Sequence, residues 1–127
     1  MRRETINWIT QADADFDSAC KSFDSKIYYL CAFLCHQAAL KYLKGFIIET
    51  KKKLPQKTHD LVSLGKEAEV EAKILTRLRT LNPHFKISRY PDAANGIPCH
   101  NYDEINTKPL LDSTREIIGC IKNQLHK

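Results

Sequence analysis

The sequence predicts an all-α protein, an antiparallel up-and-down bundle of four to five helices. Apolar residues recur at spacings of three and four through three long segments, which is the signature of helices with one buried stripe. The short connection between the first two segments favours antiparallel neighbours. Beyond these lie a short helix after His59 and a proline-rich stretch that breaks periodicity. At 127 residues the whole chain, 1–127, is expected to form one domain.

From about Glu4 to Phe23, Ile9, Ala12, Phe16, Ala19 and Phe23 mark one face, with Asp13, Asp15, Asp17 and Lys21 opposite. Asp24 or Ser25 then breaks the pattern and is expected to cap a second helix, since a short side-chain oxygen satisfies free backbone N–H groups. That helix runs from Lys26 to about Lys51, and its apolar residues, among them Ile27, Leu30, Phe33, Leu34, Leu40, Leu43, Phe46 and Ile47, cover more than one stripe. Such a helix is roughly 35 to 40 Å long, more than a compact monomer of this size hides. The surplus apolar face suggests a homodimer, unless a third helix wraps it.

Lys51 to Lys57 form a basic linker in which Pro55 pushes Leu54 out of helical geometry. Thr58 or Asp60 can start a short helix through Leu61, Val62 and Leu64, with a bend at Gly65. Glu67 to Leu81 reads as a further helical stretch, stopped by Asn82-Pro83. His84 to about Pro109 is expected to be irregular, with room for at most a weakly supported strand. Helical spacing returns from about Leu110 to Leu125.

Hydrophobic residues make up 43% and charged residues 28%, with only 4 Gly and 5 Pro, which excludes collagen-like, low-complexity and disordered classes. The longest uncharged stretch, Ile27 to Leu40, is too short and polar for a membrane span, and the N-terminus has no apolar signal segment. A net charge of +5 favours encounter with anions such as nucleotides, RNA or an acidic partner. Five cysteines without a CxxC pair fit a reducing, cytoplasmic location, and their spacings supply no convergent metal site. No metal and no cofactor are expected. The absence of a Walker-type loop, GxGxxG or GxSxG leaves ordinary nucleotide hydrolysis and acyl transfer without local support.

Four blocks, Ala12-Asp13-Ala14-Asp15-Phe16, the run from His36-Gln37-Ala38-Ala39 to Lys44-Gly45, Thr58-His59-Asp60-Leu61 and Ser88-Arg89-Tyr90-Pro91-Asp92, occur in that order across nearly the whole chain. In this arrangement the sequence resembles the HEPN domain family, whose name stands for higher eukaryotes and prokaryotes nucleotide-binding. The resemblance implies an antiparallel helical bundle, commonly dimeric, often the partner of a minimal nucleotidyltransferase. Several branches of the family are metal-independent ribonucleases, some of them in toxin–antitoxin pairs, with an arginine, four to six intervening residues and a histidine. Here Arg79 and His84 have four residues between them and Arg77 and His84 six. The pair closes a helix instead of opening the last one, so the spacing reads as coincidental and the ribonuclease, with His84 or His59 as acid or base and Arg79 for charge, is the alternative.

Other branches of the family lack that motif and are thought to bind nucleotides or partner proteins. The resemblance therefore implies a non-catalytic nucleotide- or substrate-binding module, and the residues suggest which side chains would serve it. Pro91 restricts Tyr90 to extended backbone and holds a guanidinium, a phenol and a carboxylate near one another. Arg89 suits a phosphate, Tyr90 a base or ribose, and Asp92 would orient Arg89; the structural alternative is an Arg89–Asp92 ion pair with Tyr90 buried. His59-Asp60 offers either an imidazole for phosphate contact or a helix cap. Gln37, Lys41 and Lys44 fall along one face of the second helix, either as charge compensation for a nucleotide phosphate or as a solvated rim.

Overall fold

A computed structural model describes residues 1–126, and among them no strand occurs. The first helix, α1, spans Arg3–Asp24 and turns Ala12, Asp15 and Ala19 inward. It ends in a Schellman turn. Lys26, at φ 64°, takes the left-handed position, its N–H reaches Phe23 O at 3.0 Å, and Ile27 N–H reaches Ser22 O at 2.8 Å. This corrects the expected cap. Ser25 closes α1, and α2, Tyr28–Lys51, starts behind Ile27 with no side-chain cap.

Helix α2 is the central rod. Residues from Cys31 to Ile48 are buried around its circumference, and α1, the last long helix and several of the shorter ones pack on it from several sides. Much of the apolar surplus that suggested a second copy is thus taken up by the chain's own helices, while Ile27 and Tyr29 at its start remain exposed. Lys52, also left-handed at φ 56°, ends α2 and begins the basic linker.

Helix α3, Leu61–Glu67, is capped by Asp60, whose Oδ1 accepts from Val62 N at 3.0 Å and Ser63 N at 3.3 Å. Gly65 does not bend the chain as expected. It lies inside α3, where an added Cβ would stand 2.6 Å from Leu78 Cδ1, so glycine lets α3 approach the next helix closely. The bend falls later, with Glu69 at φ 58°, and α4 follows over Ala72–Leu81.

The segment expected to be irregular is largely helical. It holds α5 (His84–Ile87), α6 (Pro91–Ala94) and a 3-10 turn at Pro98–His100. Short helices of four residues show no resolvable periodicity, which is why they escape a pattern search. The last helix, α7, spans Glu104–Leu125 and starts well before Leu110. Its start is fixed by a capping box: Asn106 N–H bonds Asp103 Oδ1 at 2.8 Å and Asp103 N–H bonds Asn106 Oδ1 at 2.9 Å. Pro109 therefore sits inside the helix, and the carbonyl it leaves without a donor belongs to Ile105, an exposed residue.

The core is made by Tyr42, Leu43 and Ile47 of α2, Leu61 and Leu64 of α3, Ile74, Leu78 and Leu81 of α4, and Ile117 and Ile121 of α7. Among the described residues no helix is long and apolar enough to cross a membrane.

Candidate functional site

Between α2, the loop before α3 and the α5–α6 connection lies an open cleft of about 810 Å³, lined by Gln37, His59, Phe85, Lys86, Arg89, Tyr90, Asp92 and Ala93. Its volume is within the range of small-molecule sites, roughly 300 to 1,000 Å³.

The backbone builds the wall. Arg89 N–H and Tyr90 N–H both return to Lys86 O, at 3.0 and 2.9 Å, closing the turn after α5. The Ser88 hydroxyl, fully buried, donates to His84 O and ties that turn down. Tyr90 is extended at φ −115°, ψ 124°, as a residue before proline must be, and Pro91 opens α6.

Arg89 stands on three rings. Its guanidinium carbon is 4.3 Å from the centroid of Phe85, 4.5 Å from Phe33 and 4.8 Å from Tyr90. Its Nε donates to Phe85 O at 2.9 Å. Among the described residues the two terminal NH groups meet no hydrogen-bond acceptor, and no carboxylate lies within ion-pairing distance. Asp92 faces the cleft but accepts from Ala93 N–H at 2.9 Å, so rings and a carbonyl orient Arg89 instead of a carboxylate. Tyr90 is about half exposed, at 47%. The ion-paired, buried alternative for this block is therefore not what the fold adopts.

His59 lies flat on Phe85, centroids 4.2 Å apart at an interplanar angle of 15°. It is positioned through Asp60, which accepts from Asn82 Nδ2 at 3.0 Å while Asn82 Oδ1 accepts from Leu61 N–H at 2.9 Å. Desolvation, then the charges of Lys44 and Arg89, hold its pKa below the ordinary value, so the imidazole is neutral at neutral pH. Behind the same ring, 5.1 Å from its centroid, sits His36, wholly buried. Among the described residues neither His36 nitrogen has a hydrogen-bond partner, and burial pushes its pKa down to about 4.

The other expected residues go elsewhere. Lys41 pairs with Asp15 of α1, a carboxylate that also accepts from Gln11 Nε2 at 2.9 Å. Lys44 places its ammonium 5.4 Å from the centroid of Trp8, though its charge is still felt at His59. Arg79 is exposed in the last turn of α4, and His84 Nδ1 lies 2.6 Å from the Tyr102 hydroxyl. Neither lines the cleft. Sequence reasoning missed Phe33, Phe85 and Lys86. Phe33 carried a signal, one helical turn before Gln37; Phe85 and Lys86 sit in a helix too short to give one. Among the described residues no group of His, Cys, Asp and Glu is arranged to hold a metal ion.

A search of curated proteins finds no match. Among solved structures, a Thermus thermophilus protein is similar over 96% of this chain and 98% of its own, at 21% identity and a TM-score of 0.88, which speaks to the fold. A structure described as an archaeal HEPN homologue is 28% identical, covers 98% of both chains and has a TM-score of 0.82. The family model described as HEPN domain matches residues 6–124. The chain belongs to the HEPN domain family.

Proposed function

We propose that this HEPN domain is a non-catalytic module that binds a nucleotide in the Arg89 cleft and serves a partner of nucleotidyltransferase type, as a homodimer in the cytoplasm. The observation that carries the reading is the Arg89 guanidinium, held on three rings, with no acceptor for its terminal NH groups among the described residues. A planar fork so placed suits the oxygens of a phosphate, and the exposed Tyr90 ring beside it suits a base or ribose. Unpaired cysteines support the cytoplasmic location. Calorimetric titration with ATP is the test: saturable binding that is lost in Arg89→Ala supports the assignment, and equal binding in the variant removes it.

A second reading is metal-independent RNA cleavage. What favours it is a neutral imidazole, His59, in the same cleft as a free guanidinium, a pairing that can accept a proton and stabilise phosphorane charge. His84, held to Tyr102, and the exposed Arg79 are less well placed for this. Cleavage of labelled RNA in EDTA, lost in His59→Ala and retained in His84→Ala, would establish it.

A further inference from the structure

The charges around His59 are unequal in sign. From α2 it meets Lys44 and the neutral, buried His36; from α5, Lys86 and a His84 turned onto Tyr102; from the α5–α6 connection, Arg89 and Asp92. Its neighbour Asp60 is already engaged by two backbone N–H groups and the Asn82 amide. Among the described residues Asp92 is thus the one carboxylate lining the cleft, against Arg89 and Lys86 with Lys44 close by. The imidazole and the guanidinium also share a support, since both pack on the ring of Phe85.

We propose that the cleft selects a terminal phosphate, the dianion of a phosphomonoester, by gripping it with Arg89 and with a His59 imidazole that takes up a proton from solvent as the ligand enters; this rests on the nucleotide reading above. No covalent bond is made or broken. In the free protein desolvation, and then the charges of Lys44 and Arg89, disfavour an imidazolium. Two negative charges set beside His59 reverse that field, so the imidazole becomes a second charged donor. A phosphodiester carries a single charge, recruits the proton weakly and is held by Arg89 alone. Because His59 binds a proton only in the complex, affinity falls as pH rises, by up to about tenfold per pH unit between its free and bound pKa values.

The experiment is calorimetric titration of the full chain with the four ribonucleoside 5′-monophosphates. The tightest is then compared with its phosphate methyl ester at pH 7.0 and 8.5, in two buffers of different ionisation enthalpy. Above pH 7 the ligand stays dianionic, its second pKa being about 6, so the pH dependence reports on the protein. Supporting results are at least tenfold tighter binding of the monophosphate at pH 7.0, net proton uptake, and an advantage that shrinks by pH 8.5. His59→Gln is then expected to bind weakly, without proton uptake or discrimination. Equal binding of the two ligands, or binding without proton uptake, overturns the proposal and leaves nucleotide binding standing. No binding of the four monophosphates, and none of ATP titrated alongside them, overturns both. The wild-type arms decide the matter even where the variant fails to fold.

Discussion

The imidazole of His59 lies face to face on the ring of Phe85, 4.2 Å between centroids, while the Arg89 guanidinium packs on that ring at 4.3 Å. One side chain from a four-residue helix thus holds both the imidazole and the guanidinium and covers the buried His36. Phe85→Leu keeps apolar volume but removes the π-face. Nucleotide affinity is expected to fall roughly thirtyfold, corresponding to about 2 kcal/mol of cation–π and stacking support. Titration of the variant with the wild-type ligand measures it.

His36 makes the fold sensitive to acid. Its folded pKa, about 4, lies below the ordinary 6.5, so the unfolded chain binds a proton more readily. Stability from this residue is fully present above pH 6.5 and is lost as pH falls toward 4, by about 3 kcal/mol. Urea unfolding at pH 7 and pH 4 is expected to show a drop in wild type that is smaller by that amount in His36→Leu. A parallel drop in both would place the acid sensitivity in other groups.

Lys41 illustrates how a residue on the expected helix face is drawn to another task. Its ammonium meets Asp15, which is 8% exposed, and removing the cation leaves that carboxylate with only the Gln11 amide. Lys41→Met is expected to cost about 2 kcal/mol, discounted for the partial exposure of the pair. Nucleotide affinity should stay within twofold of wild type. Thermal unfolding and titration of the same preparation check both halves.

Asp60 joins stability to the site. Asp60→Ala removes the cap of α3 and the link to Asn82, costing about 1 to 2 kcal/mol and roughly 5 °C in melting temperature. His59, its neighbour in sequence, loses its fixed position, so nucleotide binding should weaken as well. Asp60→Asn, which retains an accepting oxygen for Val62 and Ser63, is expected to recover most of the stability.

Long amphipathic segments made the bundle readable: the stripe through Ala12, Ala19, Leu43, Ile47, Ile117 and Ile121 states which faces are buried before any packing is known. Single positions were harder. Lys26 occupies a left-handed turn usually given to glycine, and Pro109 lies within a helix because Asp103 and Asn106 nucleate it upstream. The Arg89 block was legible through Pro91, which sets the backbone of Tyr90. Its support was not, because the contact between Phe33 and Arg89 depends on how α5 docks against α2, and no local pattern encodes that packing.

The central claim is that a nucleotide enters the Arg89 cleft. NMR titration with ATP, following the Arg89 Nε–Hε signal together with the ring protons of Phe85 and Tyr90, tests it most directly. The account predicts that these resonances shift together and saturate with one dissociation constant, while the Lys41–Asp15 region on α1 and α2 stays unmoved. Saturating shifts confined to other surfaces, with Arg89 and Phe85 unchanged, would contradict it.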